Sequence, residues 1–184
     1  MRFAIGLLAF FLVITAGPTL EAREPADREN TLYLKLKYGR VIIKLRPDLA
    51  PKHVERVKKL VREGFYDGLT FHRVIPGFMA QTGDPTGTGG GGSKYPNLPQ
   101  EFTDTPFARG TIGAARTSDP NSANSQFFIC FDAAPWLNGK YTVWGHVVIG
   151  MKFVDLIAKG DTRSGKVAEP DKIVAVTVAA DAKK

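Results

Sequence analysis

The sequence predicts a mainly β protein, a closed or nearly closed antiparallel sheet with two helices covering its openings. Short apolar runs alternate with polar residues at a period of two, and turn residues separate them. Only two stretches have helical spacing, and no strand-helix rhythm of the kind that builds a parallel sheet occurs. With 184 residues the chain fits one core, and 43% hydrophobic against 23% charged residues excludes a disordered or fibrous chain.

Met1–Arg2, the apolar run Ala4–Ile14 and the small-residue region Ala16–Ala22 predict a signal peptide over 1–22, too short to span a membrane comfortably. Cleavage after Ala22 or Ala16 implies export to the periplasm or the medium, with no stable membrane span after processing. Charged, aperiodic residues 23–30 read as a flexible lead-in, and one domain follows over 31–180.

Leu32, Leu34 and Leu36, a turn at Tyr38–Arg40, then Val41, Ile43 and Leu45 predict a hairpin with one buried face. Pro51 starts a helix with Val54, Val57, Leu60 and Val61 on its apolar side, ended by Gly64. Phe71, Arg73 and Ile75 are expected on one face of the next strand, with His72 and Val74 on the other, until Pro76–Gly77 bends the chain. Residues 83–99 form a glycine-rich loop long enough to be functional or mobile. Strands are expected at Gly110–Ala115, Ser125–Phe131 and Val143–Ile149, with an Asn138–Gly139 turn between the last two. A second short helix over Met151–Ala158 ends at Gly160, and Ile173–Val178 is the last strand.

Several chemistries are excluded. Gly87–Gly92 formally fits Gly-x-Gly-x-x-Gly, but Asp84–Pro85 precedes it where a strand is needed, and Ser93–Pro96 follows it where a helix is needed. His53, His72 and His146 lack ligand spacing, Cys130 is the only cysteine, and no Gly-x-Ser-x-Gly elbow occurs. Removing residues 1–22 takes away Arg2 and Glu21, so the net charge stays +7. Lys52, Lys58, Lys59 and Arg62 read as a solvated helix face, so no nucleic-acid partner is expected.

What remains is concentrated: Arg73, Phe78, Met79, Gln81, Phe128, Trp136 and Leu137 combine apolar pocket material with one cation and one amide. A guanidinium stays charged at neutral pH and offers only donors, so a site built on Arg73 orients and stabilises without exchanging protons.

Phe71–Asp84 (FHRVIPGFMAQTGD), Asn124–Ile129 (NSQFFI) and Trp136–Lys140 (WLNGK) resemble the cyclophilin family of peptidyl-prolyl cis-trans isomerases, over about Thr31 to Val178. Ala115–Ala123, with the signal, is similar to the bacterial exported kind. The resemblance implies a closed eight-stranded antiparallel β-barrel capped by two α-helices, acting on Pro-containing polypeptides without metal, nucleotide or covalent intermediate. It implies Arg73 as the catalytic residue. Phe78, Met79, Phe128 and Leu137 would hold the proline ring, and Gln81 with Ala115–Arg116 the substrate backbone. Trp136 implies binding of cyclosporin. Tyr141 stands where many eukaryotic members carry histidine, and Arg116 where many carry asparagine. A monomer is expected, and a holdase that binds Pro-containing segments without turnover is the competing reading.

Overall fold

The computed structural model describes residues 26–183. The expected signal peptide and the start of the lead-in lie outside the described residues. Asp27–Asn30, also placed in that lead-in, are tied to the fold. Glu29 pairs with Lys58 and Arg62, both at 2.9 Å, and the Asp27 carbonyl accepts the Thr31 hydroxyl at 2.6 Å. Those helix cations are therefore partly neutralised, Arg62 also by Asp181 at 2.8 Å.

The first hairpin forms as expected, β1 (Thr31–Leu36) pairing with β2 (Gly39–Leu45). Helix α1 (Pro51–Arg62) buries His53, Val54, Val57, Leu60 and Val61. The remaining strands are β3 (Arg73–Ile75), β4 (Met79–Thr82), β5 (Thr111–Ala114), β6 (Phe127–Cys130), β7 (Val143–Ile149) and β8 (Ile173–Val178). They make one antiparallel eight-stranded sheet in the order β3-β4-β6-β5-β7-β2-β1-β8.

The sheet is strongly curled but open, which corrects the closed barrel expected above. β3 and β8 are its two edges, and among the described residues only isolated bridges join the chain at β3 to the segment leading into β8, at Thr70–Lys172 and Arg73–Lys166. The chain entering β8 cannot lie as a continuous strand: Gly165 has φ 76°, and Pro170 has no amide to donate. Scattered hydrogen bonds tie the two sides of the seam instead, among them Phe71 N to Asp171 O at 2.8 Å and Val74 N to Gly165 O at 2.7 Å.

Two other expectations change. Phe71 precedes β3 and is fully buried in the main core with Val74, so it does not share the face of Arg73. Helix α2 is only Met151–Val154, because the Ala158 amide, which a longer helix would use, donates to the Asp171 carboxylate at 2.8 Å. Cys130 is the buried hydrophobe expected, and burial pushes its thiol up to about 12.

Candidate active site

The period-two alternation of four adjacent strands builds the site. Val74, Ala80, Ile129 and Ile112 are register partners across β3, β4, β6 and β5, and none is exposed. They point into the main core. The next row points the opposite way and runs Arg73, Gln81, Phe128, Gly113. One line of cross-strand neighbours thus sets a cation beside an amide beside an aromatic ring. The position beside Phe128 is glycine because a Cβ there would lie 2.5 Å from Phe128 Cζ and 2.7 Å from Phe107 Cε1. On the same face Ile75, Met79 and Cys130 form a second, apolar row.

The loop after β6 roofs this outer face. Leu137, in the short 3₁₀ turn Pro135–Leu137, joins Met79, Phe107, Phe128, Cys130, Ala134 and Val143 in a separate apolar cluster. Trp136 stands 57% exposed with its ring 5.5 Å from that of Phe78, and Tyr141 meets Phe128 edge-on at 6.0 Å. The result is one cavity of about 330 Å³ lined by Arg73, Phe78, Met79, Gln81, Ala115, Arg116, Phe128, Trp136, Leu137 and Tyr141. Every residue singled out in the sequence lines it.

Arg73 is oriented by three acceptors: its Nε donates to the Ser164 carbonyl and its Nη1 to Gln81 Oε1, each at 3.1 Å, and Nη1 also to Met79 Sδ at 3.9 Å. Gln81 Nε2 donates to Gln126 Oε1 at 2.9 Å, and Gln126 Nε2 donates to the carbonyls of Gly89 (2.9 Å) and Gly91 (2.8 Å). Arginine only donates and a carbonyl only accepts, so both amide orientations are fixed from the ends of this chain. Asp84, buried, holds the glycine loop by accepting the amides of Thr86 (2.7 Å) and Gly89 (2.6 Å). Burial alone would raise its pKa, but these bonds outweigh it and hold the carboxyl at about 2.

Two further cavities flank the first. One of about 350 Å³ lies between the glycine loop and Arg116, Asn124 and Gln126; the other lies beyond Arg73. Gln126 and Ser164 were missed in the sequence. Gln126 sits inside the NSQFFI motif and could have been found there, whereas nothing local marks Ser164, which is 91 positions from Arg73.

Fold and groove together define a peptide-sized apolar recess edged by fixed hydrogen-bond donors, with no nucleophile and base in its lining. The family described as cyclophilin type peptidyl-prolyl cis-trans isomerase/CLD matches residues 31–178. A probable peptidyl-prolyl cis-trans isomerase of Brucella suis is 56% identical over 187 residues, 95% of each chain. Among solved structures, a cyclophilin from Hirschia baltica aligns with a TM-score of 0.77 at 28% identity, covering 85% of this chain and 76% of that one. A Cryptosporidium parvum cyclophilin type isomerase, crystallised in the presence of the dipeptide Ala-Pro, aligns with a TM-score of 0.73 at 29% identity, over 80% of this chain and 98% of that one. This chain belongs to the cyclophilin-type peptidyl-prolyl cis-trans isomerases. Its reaction is rotation about the peptide bond preceding proline.

Proposed function

We propose that the 330 Å³ cavity is the active groove and that Arg73 accelerates rotation by binding the twisted amide more tightly than either planar isomer. Amide resonance sets a barrier of about 18–20 kcal/mol, and twisting the bond returns a lone pair to the prolyl nitrogen. A fixed donor aimed at that lone pair and at the adjacent carbonyl stabilises only the twisted state, which is what lowers a barrier. Phe78, Met79, Phe128 and Leu137 hold the proline ring, while Gln81 and the main chain of the Ala115–Arg116 segment hold the flanking backbone. The observation that carries this reading is the convergence of all these residues on one cavity, with the Arg73 guanidinium already held by Gln81 and Ser164. The test is Arg73→Ala in proline-limited refolding: a folded variant with full activity would overturn the mechanism.

The signal at 1–22 supports an exported, periplasmic enzyme that acts on exported chains as a monomer. Mass spectrometry of the N-terminus in fractionated cells should find a chain starting at Arg23, or at Gly17, in the periplasm. An intact Met1 in the cytoplasm would reject export. Sedimentation of the mature chain tests the monomer. Trp136, exposed at the groove rim, supports binding of cyclosporin. Competition titration should show inhibition, and its absence at high excess would remove that ligand.

A further inference from the structure

The cavity beyond Arg73 measures about 720 Å³ and is lined by Arg73, His72, Gln81, the Gly87–Gly89 turn, Ser164 and Lys166. Arg73 and Gln81 also line the proline cavity, so a chain seated there and continuing past Arg73 enters this second space. Its charge has one sign. Burial holds the His72 imidazole below its usual range and neutral, so the charge comes from Arg73 and Lys166, and no carboxylate lines the cavity.

Arg73 and Lys166 are direct partners on the antiparallel bridge across the seam. Gly165 permits this approach, since a Cβ there would lie 3.0 Å from Arg73 Cγ and 2.6 Å from Ile75 Cγ1. Like charges directly opposite each other destabilise a strand pair. Among the described residues no ion pair relieves either of them. Neither carboxylate of the framing loops pairs with these cations: Asp84 accepts from Thr86 and Gly89, and Asp161 from the amides of Arg163 (2.9 Å), Ser164 (2.7 Å) and Lys166 (3.2 Å). Two opposed cations lining a cavity next to the groove suit an anion.

We propose that Arg73 and Lys166 form a carboxylate subsite that takes an Asp or Glu side chain of the substrate polypeptide a few residues from the isomerised proline. This rests on the reading of the groove given above, because Arg73 joins the two cavities. The subsite selects among substrates through binding, so its effect falls on KM and is screened by salt.

The test uses single-proline peptides carrying Glu or Gln at each nearby position in turn, with turnover read by cis-trans exchange in NMR. At the position that reaches the subsite, Glu should be favoured over Gln by about threefold in kcat/KM at low salt, the scale of an exposed ion pair. The preference should vanish at about 1 M salt and in Lys166→Gln, and return in Lys166→Arg, while Gln peptides are turned over as before. No Glu preference at any position, with Gln peptides turned over normally, would overturn the subsite and leave the groove intact. A preference that survives Lys166→Gln would overturn it as well. Failure to turn over any peptide would overturn both readings.

Discussion

Arg73 and Arg116 edge the same cavity with the same functional group and use their donors in opposite ways. Arg73 gives Nε to one carbonyl and Nη1 to one amide oxygen and the Met79 sulfur (3.9 Å), and its Nη2 has no partner among the described residues. Arg116 gives Nη1 to the carbonyls of Thr117 (2.8 Å) and Ser118 (3.4 Å) and Nη2 to that of Lys140 (2.8 Å), and lies 4.2 Å from the centre of the Tyr141 ring. The first is held yet keeps Nη2 uncommitted. The second staples two loops together. A cation at a groove therefore declares its role by the donors left over once its neighbours are served.

The largest effect expected is at Arg73. Arg73→Ala should lower kcat/KM in proline-limited refolding by about a hundredfold or more, the scale of removing one preorganised donor. Its melting curve should stay close to that of the parent. Arg73→Lys should fall between the two, because an ammonium keeps the charge but lacks the planar fork that serves Gln81 and Ser164 together. Equal losses at Arg73→Ala and Arg116→Ala would erase the distinction.

The groove was legible in the sequence because its parts lie in short local patterns. Alternation in Arg73–Ile75 and Met79–Thr82 orders the core and groove rows, and the WLNGK segment supplies the roof. What was not legible depends on partners far along the chain. Ser164 reaches Arg73 only because the curl brings the segment before β8 against β3. Gln126 meets Gln81 across 45 positions. The same contacts explain the misplaced Phe71 and the shortened α2, since Asp171 takes both the Phe71 amide, through its carbonyl, and the Ala158 amide, through its carboxylate. Seam contacts outweighed local periodicity, which also assigned the sheet a closure that Gly165 and Pro170 interrupt.

Glu101 extends the comparison to a committed charge outside the groove. Helix α1 has Ala50 at its N-cap and no acid in its first turn, leaving its first amides without a local acceptor. Glu101 supplies it from 49 positions away, accepting the amides of Lys52 and His53, each at 3.0 Å, and the His53 ring at 2.6 Å. Glu101→Ala should cost about 1–2 kcal/mol of stability and leave isomerisation unchanged. Burial holds the His53 pKa below 6.5 against the pull of Glu101. Burial would raise the Glu101 pKa, but the bonds from His53 and Lys52 bring it below 4.5. In both cases the unfolded chain binds more protons, so stability falls as pH drops below 6.5 and again below 4.5. Urea midpoints across that range should show both losses, and Glu101→Gln should reduce the second. A midpoint independent of pH would reject this account.

The smallest effect is expected at Arg116, for a reason that sets it furthest from Arg73. Its Nε is buried without a partner among the described residues, so the side chain carries a penalty alongside its three hydrogen bonds. Arg116→Ala removes both the bonds and the orphaned donor, and the two partly offset. A loss of about 1 kcal/mol in thermal stability is expected, from slackening between Ala115–Ser118 and Lys140–Tyr141. Turnover of a good peptide should change by less than about threefold, because the Arg116 Nε is buried and both terminal nitrogens already serve loop carbonyls. Arg116→Met, which keeps bulk over Tyr141 and has no donors, should restore part of the stability lost in Arg116→Ala without altering turnover. If Arg116→Met instead loses activity as Arg73→Ala does, the Arg116 donors are reaching substrate despite their carbonyl partners, and leftover donors no longer distinguish the two arginines.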